Sequence, residues 1–197
     1  MEYYAHISED GLRRQTVAEH LEGTATLCWE FAADFDAGES GKLAGLTHDH
    51  GKCTEGFQNR LLRGGPRVDH ATAGALLCDK QNPFAAICVA GHHTGLPDFG
   101  SRKVDRPFDN PFCGKMKRGA ERHYLEWCGE SGVELPPPSR FVPPIKSNLQ
   151  ASFWTRMLYS CLVDADFLDT EAFMNGDRGR GGYDDMETLL TRLEAHI

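Results

Sequence analysis

Histidine and aspartate side chains of the kind that bind divalent metal ions occur at five separate places in the chain. Where a His and an Asp are adjacent at a helix end, both can reach one ion, and the two oxygens of the aspartate can bridge a pair of ions. Mixed imidazole and carboxylate ligation suits Mn, Fe, Co, Ni or Zn better than Mg. A lysine one turn further along reaches the same cavity. The candidate residues are His20, His48, Asp49, Lys52, His70, His92, His93 and Asp164.

Several of these residues also have an ordinary structural explanation. An isolated His-Asp dipeptide is common by chance, and His20 or His70, taken singly, is of a type that more often packs in a core or caps a helix. His92 and His93 would point about 100° apart inside a helix, but at a fraying helix end their rings can converge on one ion. The alternative for that pair is a solvated last turn in which the rings interact favourably with the helix dipole.

Three aspartates, Asp164, Asp166 and Asp169, fall in one predicted helix near the end of the chain. Asp164 lies three residues after Cys161 and four before Leu168, so we predict that it shares their buried face, whereas the other two aspartates point elsewhere. A buried carboxylate is costly unless it is paired or bound to a metal. We therefore predict that Asp164 is the metal ligand of the three. The alternative is a surface acid that only borders the core.

The elements that must position these residues are predicted to be helices. Apolar residues recur at helical spacing, Thr16 and Pro83 mark helix starts, and glycines and prolines mark the ends. Strand signals are weak throughout, which predicts an all-α domain. The predicted helices cover residues 16–36, 40–49, 54–62, 70–79, a segment from 83 that ends by 95, 115–128, 148–173 and 185–196.

Proline and glycine divide the chain into a domain, an insertion and a tail. Residues 1–175 are predicted to form the domain, and residues 97–146 a Pro-rich insertion that borders the site or is a plain surface excursion. Residues 176–197 are predicted to form a flexible break and a C-terminal helix. We expect residues 100–112 and 174–184 to be mobile or stabilised only by local contacts, because their composition offers little apolar surface to offset ordering entropy.

The net charge of −8 excludes binding of nucleic acid by bulk electrostatic attraction. A nucleic-acid substrate would need local Lys/Arg clusters, bound metals or a partner, and simple solubility explains the charge equally well. The best candidates for phosphate contacts are the arginine-bearing segments 60–67 and 102–122, although solvated surface charge explains each residue singly.

The cysteine pattern and the hydropathy point to a cytoplasmic protein. Seven cysteines without a Cys-x-x-Cys pair argue against a Cys-ligated zinc site and predict buried, reduced thiols. The N-terminal segment lacks a signal-peptide pattern, and no apolar run has the length of a membrane span. We therefore expect a cytoplasmic location and no membrane partner.

The order His, His-Asp, His, His-His, Asp resembles the HD superfamily, and within it the HD nuclease of type I CRISPR interference. The resemblance covers about residues 3–173. The sequence departs from the family pattern at His50, where the family usually has an apolar residue, and at Ala71, where it often has serine. The matching motifs are Glu19-His20, His48-Asp49-x-Gly51-Lys52, Asp69-His70-Ala71-Thr72-Ala73-Gly74, Gly91-His92-His93, and Leu162-Val163-Asp164-Ala165-Asp166 followed by Leu168-Asp169-Thr170-Glu171.

The resemblance implies an HD-domain helical bundle and a hydrolase, namely a metal-dependent endonuclease that cuts the phosphodiester bonds of single-stranded DNA in CRISPR antiviral defence. It implies two divalent transition-metal ions, with Mn, Fe, Co or Ni preferred, bridged by Asp49, and Lys52 as a catalytic residue that stabilises charge on phosphoryl oxygens. One ion would be held by His20, His48, Asp49 and Asp164. The other would be held by Asp49, His70, His92 and His93.

The same resemblance implies partners, and two other functions stay open. The implied partners are single-stranded DNA, a CRISPR helicase domain or subunit, to which the C-terminal segment would connect, and the RNA-guided surveillance complex. One alternative is an HD phosphohydrolase of nucleotides or cyclic nucleotides, but His70 and the His92-His93 pair count against its one-metal version. A non-catalytic protein-binding module is disfavoured, because no expected ligand is missing.

Overall fold

The structure is a computed structural model that describes residues 2–100, 111–137, 145–176 and 184–196. It is mostly helical, which confirms the predicted all-α class. The helices are α1 (Val17–Ala33), α2 (Gly38–Thr47), α3 (Glu55–Arg63), α4 (Ala71–Asp79), α5 (Pro83–Gly91), α6 (Phe112–Glu121), α7 (Asn148–Asn175) and α8 (Met186–His196). A 3₁₀ helix, His50–Cys53, follows α2, and two short strands, β1 (Tyr4–Ile7) and β2 (Arg14–Thr16), precede α1.

Side-chain caps fix the starts of two helices beside the histidines, α1 and α5. The Thr16 side chain accepts a hydrogen bond from the backbone N–H of Glu19, whose carboxylate accepts one from the N–H of Thr16, so α1 begins with a capping box. At the start of α5, Asn82 accepts from the N–H of Phe84 beside Pro83. The predicted helix starts at Thr16 and Pro83 are therefore confirmed.

The two strands were not predicted from the sequence. Tyr4 pairs with Thr16 and Ile7 pairs with Arg14 in an antiparallel ladder, with an irregularity between Tyr4 and His6. Strands of three or four residues are too short to show a period-two pattern, so the pairing becomes visible only when both segments lie against α1. The sheet places His6 beside His20 of α1.

The helix predicted over residues 115–128 begins and ends earlier in the structure. α6 begins directly after Pro111 and ends at Glu121, because His123 adopts a left-handed backbone with φ of 55°. Phe112 is 3% exposed and belongs to the core, so the predicted mobility of residues 100–112 is wrong at its C-terminal end. Residues 101–110 and 177–183, on which most of the predicted mobility falls, lie outside the described residues.

The core lies between α1, α2, α4, α5, α6 and α7. Its largest fully buried apolar side chains include Leu158 and Leu162 of α7, and much of the rest is alanine and cysteine. All seven cysteines are free thiols, and six of them are buried, as the sequence predicted. None of the helices in the described segments has both the length and the hydropathy needed to cross a bilayer.

Two glycines allow close approach between the segments that carry the histidines. A Cβ on Gly74 of α4 would overlap the carbonyl oxygen of Thr47, directly before His48. A Cβ on Gly51 would overlap the carbonyl oxygen of His70. Glycine at these positions therefore lets the end of α2 and the start of α4 meet at van der Waals distance.

Gly74→Ala is expected to destabilise the protein by about 1–3 kcal/mol, because the new methyl group must displace the Thr47 backbone. The matched control is Gly56→Ala in α3, where a Cβ meets only Val68 at 3.9 Å and where alanine favours the helix. Urea denaturation should show a lower midpoint for Gly74→Ala and an unchanged or higher midpoint for Gly56→Ala. Equal midpoints would contradict the packing described here.

Candidate metal centre

Helix ends bring the predicted histidines together. His20 lies near the start of α1, and the other histidines and Asp49 follow α2 and α5 or directly precede α4. At such ends the backbone leaves helical geometry, so neighbouring side chains can turn towards one point. The predicted residues that meet in one cluster are His20, His48, Asp49, His70, His92 and His93.

Two overlapping sets of side chains in this cluster could each hold a metal ion. Within each set, four ligand atoms lie within 4.8 Å of one another. The carboxylate of Asp49, which is 1% exposed, belongs to both sets. The first set is His20, His48, Asp49 and Asp166. The second set is Asp49, His70, His92 and His93.

The two carboxylate oxygens of Asp49 face different sets. Its Oδ2 lies 3.2 Å from Nε2 of His20 and 3.4 Å from Nε2 of His48. Its Oδ1 lies 3.4 Å from Nε2 of His70 and 3.3 Å from Nε2 of His92. A single carboxylate is thus in position to serve both halves of the centre.

Hydrogen bonds at Nδ1 orient four of the imidazole rings. The Nδ1 atoms of His48, His70 and His92 lie 2.8, 3.1 and 2.7 Å from backbone carbonyl oxygens two or three residues earlier, to which only a protonated Nδ1 can donate. The Nδ1 of His20 lies 2.7 Å from Oδ2 of Asp169. When Nδ1 carries the proton of a neutral ring, Nε2 keeps its lone pair, which is the arrangement of metal-bound histidines.

The Nε2 atoms approach one another more closely than lone pairs tolerate without a cation or a proton between them. The Nε2 atoms of His20 and His48 are 3.2 Å apart, and those of His70 and His93 are 2.8 Å apart. A proton can relieve each contact by turning one ring into a donor. A divalent cation bound in each set would relieve the contact there and use the lone pairs of its rings, so the donor sets fit metal ions.

Unpartnered atoms at the middle of the cluster support the same fit. Oδ1 of Asp49 and Nε2 of His92 are buried and have no hydrogen-bond partner among the described residues, although only 3.3 Å separates them. A buried polar atom without a partner is costly. Both atoms face the second set, and a cation bound there would satisfy them.

The charges of the centre are coupled. Burial would raise the pKa of Asp49, but Lys52 and the neighbouring histidines hold it well below its usual range. Burial would lower the pKa of His20, but hydrogen bonds to Asp166, Asp169 and Asp49 outweigh that effect and raise it to about 10. The His20 ring is therefore an imidazolium, with protons on both nitrogens, at pH 7 when no cation is present. A bound cation would take the place of the proton on Nε2.

In the second set two histidines have lowered pKa values, whereas the neighbouring carboxylate of Asp49 outweighs burial and raises the pKa of His92. Burial lowers the pKa of His70. Burial, together with the neighbouring His92, lowers the pKa of His93 to about 4. Both rings are therefore uncharged at pH 7 and have lone pairs available. The His93 side chain is 47% exposed, whereas His92 is buried, so the centre opens to solvent at His93.

The prediction that Asp164 belongs to the buried face of α7 is wrong. Asp164 is exposed, and Asp166 occupies the expected place, with Oδ1 3.3 Å from Nε2 of His20 and 3.6 Å from Nε2 of His48. The buried face follows Leu162, from which Asp166 is rotated by about 40° and Asp164 by about 200°. The prediction counted the position of Asp164 from Cys161. Because Cys161 lies at the edge of the buried face, the count placed Asp164 on that face wrongly.

Two further residues beside the centre were missed in the sequence. Asp169 is bonded to Nδ1 of His20 and also accepts a hydrogen bond from Nε2 of Gln15 at 2.8 Å. His6 of β1 stacks edge-on against His20, with ring centroids 4.7 Å apart. The spacing of Asp169 three residues after Asp166 could have indicated that both line one side of α7, but nothing in the sequence indicated His6.

Lys52 lies inside the centre, as its spacing from Asp49 predicted. Its Nζ is 2.6 Å from Oδ2 of Asp49 and 3.2 Å from Nε2 of His6, and the residue is 4% exposed. Burial lowers the pKa of His6 to about 3, so His6 accepts the hydrogen bond from the ammonium. His50 belongs to neither set.

Comparison with known proteins assigns no function to these residues. No known family matches the sequence. No curated protein is similar to it either. The buried His/Asp cluster around Asp49, which could hold a metal ion, is therefore the feature from which a function has to be argued.

Proposed function

We propose that this chain is a hydrolase of the HD nuclease type, which uses two divalent transition-metal ions to cut phosphodiester bonds in single-stranded DNA. The observation that carries the proposal is that the two oxygens of buried Asp49 face two separate sets of imidazole nitrogens. One bridging carboxylate between two ligand sets is the arrangement of a dinuclear hydrolytic centre. When bound, such ions polarise phosphoryl oxygens and activate water for in-line attack.

The residues of the chain itself hold and orient this centre. Asp169 and the backbone carbonyls fix the imidazole rings so that no reorganisation is needed when the substrate binds. Lys52 keeps a positive charge 2.6 Å from Asp49 and thereby favours negative charge developing nearby. The exposed His93 marks the side from which a phosphodiester can approach.

The donor set supports a choice of metal. Every histidine offers nitrogen and every aspartate offers oxygen, and no cysteine joins either set. This mixture favours Mn, Fe, Co or Ni over Mg. We propose one of these ions as the resident metal in both positions.

The proposal extends to partners and location. A chain with net charge −8 has weak long-range attraction for DNA, so delivery of the strand by a helicase domain or subunit fits its composition. Such delivery is what the resemblance to CRISPR interference nucleases implies, together with an RNA-guided surveillance complex and a cytoplasmic location.

A second function, hydrolysis of free nucleotides, is favoured by one observation. The cavity at His70 and His93 has a volume of about 690 Å³, which is within the range of small-molecule sites. A nucleotide would fit there without any longer strand. The two functions differ in substrate, which is a DNA strand in the first and a free nucleotide in the second.

With Mn²⁺, Co²⁺ or Ni²⁺ added, the protein is expected to cut single-stranded DNA at least about tenfold faster than a blunt duplex. Each duplex step that must open costs about 1.4 kcal/mol, which is a factor of about ten. Gel analysis of labelled strands measures the rates, and the same protein with excess EDTA is the control. Efficient hydrolysis of free dNTPs without any cleavage of single-stranded DNA would favour the second function.

A further inference from the structure

We propose that a groove beside the metal centre binds a single strand several nucleotides long, with its phosphates along basic side chains and an unpaired base stacked on Tyr124 and Trp127. The inference rests on the proposed function and deepens it, because it says which part of the substrate is recognised and where. Three observations support the inference. They are the residues that line two adjoining cavities, the positive charge of those residues, and the backbone hydrogen bonds that link the cavities to the metal centre.

The groove begins at the metal centre. Its volume is about 690 Å³, and its lining includes His70 and His93 of the second ligand set. It then runs between the end of α3, the segment before α4, and α6. Its basic lining residues are Arg60, Arg67, Lys115, Arg118 and Arg122.

Positive charge is concentrated in this groove. Among the described residues that line it, five carry Lys or Arg side chains and only Asp69 is acidic, in a chain whose net charge is −8. The Asp69 carboxylate accepts hydrogen bonds from the side chain of Thr72 at 2.6 Å and from its backbone N–H at 3.0 Å. Lys115 donates to the carbonyl of Ala90 at 2.7 Å, which holds its ammonium in the groove wall. This is the local cluster that an acidic protein needs in order to hold a phosphate backbone.

The groove continues into a second hollow with an aromatic wall. That hollow, of about 370 Å³, shares Val68, Asp69, Arg122 and Tyr124 with the basic groove and adds Trp127. Trp127 is 73% exposed, so the indole ring is available to a ligand. Aromatic rings beside a line of basic side chains are typical of sites that bind single strands. Any unpaired base can stack on an aromatic ring, whereas the bases of a duplex already stack on one another.

Backbone hydrogen bonds hold the aromatic wall in place relative to the metal centre. Thr54 and Cys128 form an isolated antiparallel bridge, and the N–H of Gly129 donates to the carbonyl of Cys53 at 3.0 Å. Cys53 ends the 3₁₀ helix that directly follows Asp49. A base on Trp127 and a phosphate at the metal centre would therefore be held at a fixed separation, and we expect strands shorter than that separation to bind weakly.

The test measures binding of fluorescein-labelled oligo-dT to the metal-free protein in EDTA, so that no strand is cut. Strands of about 4, 8 and 16 nucleotides cover the site sizes of single-strand binding modules. Fluorescence anisotropy gives the dissociation constant at several salt concentrations. We expect affinity to rise with length and then level off once the groove is filled.

Two kinds of variant separate phosphate contacts from stacking. Arg60→Ala and Arg122→Ala should weaken binding and reduce the slope of log K against log salt by about 0.7 for each lost phosphate contact. Trp127→Ala should weaken binding about 5- to 100-fold with little change in that slope, and Trp127→Phe should recover most of the loss. The matched controls are Arg63→Ala, exposed on the same helix as Arg60, and Trp29→Ala, an exposed tryptophan in the wall of a different hollow.

Binding that none of the groove variants weakens more than its control would overturn the inference. Hydrolysis of bis(p-nitrophenyl) phosphate by the Mn²⁺-loaded wild-type protein keeps this result separate from the proposed function, because so small a diester needs only the metal centre. Hydrolysis of that diester without groove-dependent binding of oligo-dT would contradict the proposed groove and remain consistent with the proposed chemistry. Groove-dependent binding without hydrolysis of any diester would support the groove and count against the nuclease.

Discussion

Asp49→Ala is expected to empty both halves of the metal centre and to lower the rate of single-stranded DNA cleavage at least about 1,000-fold. Catalytic metal ions typically supply several kcal/mol of transition-state stabilisation, and each 1.4 kcal/mol or so is about a factor of ten. Asp49 is the residue shared by the two ligand sets, so its loss removes a ligand from both. Metal content by mass spectrometry and initial cleavage rates measure the two effects.

Two comparison variants make this result specific. Asp49→Asn keeps the volume of the side chain beside buried Lys52 and should give the same loss, which separates ligand removal from a folding defect. His70→Ala removes a ligand from the second set only and should leave metal at His20, His48 and Asp166 while cleavage falls sharply. Full metal content in Asp49→Asn, or near-normal cleavage by His70→Ala, would contradict the dinuclear assignment.

Asp166→Ala is expected to weaken metal binding to the first set at least about 100-fold, because even residues that only support a ligand typically cost 10–100-fold when removed. Its Oδ1 lies 3.3 Å from Nε2 of His20, and the variant would also leave that ring with fewer acceptors. Isothermal titration with Mn²⁺ measures the affinity, and cleavage should fall with it.

Asp164→Ala is the matched control, two residues away on the same helix. Asp164 is exposed and belongs to neither ligand set, so its removal should change metal affinity by no more than about twofold. If Asp164→Ala lost metal and Asp166→Ala did not, the arrangement of α7 described here would be wrong and the spacing argument from Cys161 would be right.

The fold class and most residues of the candidate metal centre were predictable from the amino-acid sequence alone. Helical spacing of apolar residues, with a cap at Thr16 and a first-turn proline at Pro83, depends on local interactions, so these helices were predictable. Adjacent ligand residues beside small residues, as in His48-Asp49 with Gly51, indicate a metal site for a similar reason. Because His48 and Asp49 follow the end of α2, their side chains can turn towards one point without any contact from elsewhere in the chain.

Tertiary structure alone decided which acid of α7 joins the centre. Asp164 and Asp166 are two residues apart and look alike in local sequence, but only Asp166 lies on the side of α7 that carries Leu162. The choice depends on the side from which His20 of α1 meets α7, and this crossing is set by packing between residues far apart in the chain. The same contact assigns Asp169 to Nδ1 of His20.

Two other features also depend on long-range contacts. His6 reaches Lys52 only because β1 pairs with β2 and lies over the end of α1, a pairing too short to leave a pattern in the sequence. The basic groove joins residues from α3, α6 and the segment before α4, whose charges look like ordinary surface charge when read along the chain. Local sequence encodes the helices and their caps, whereas packing decides the relative placement of the helices. That placement brings Asp166 beside His20 and gathers the scattered arginines into one groove.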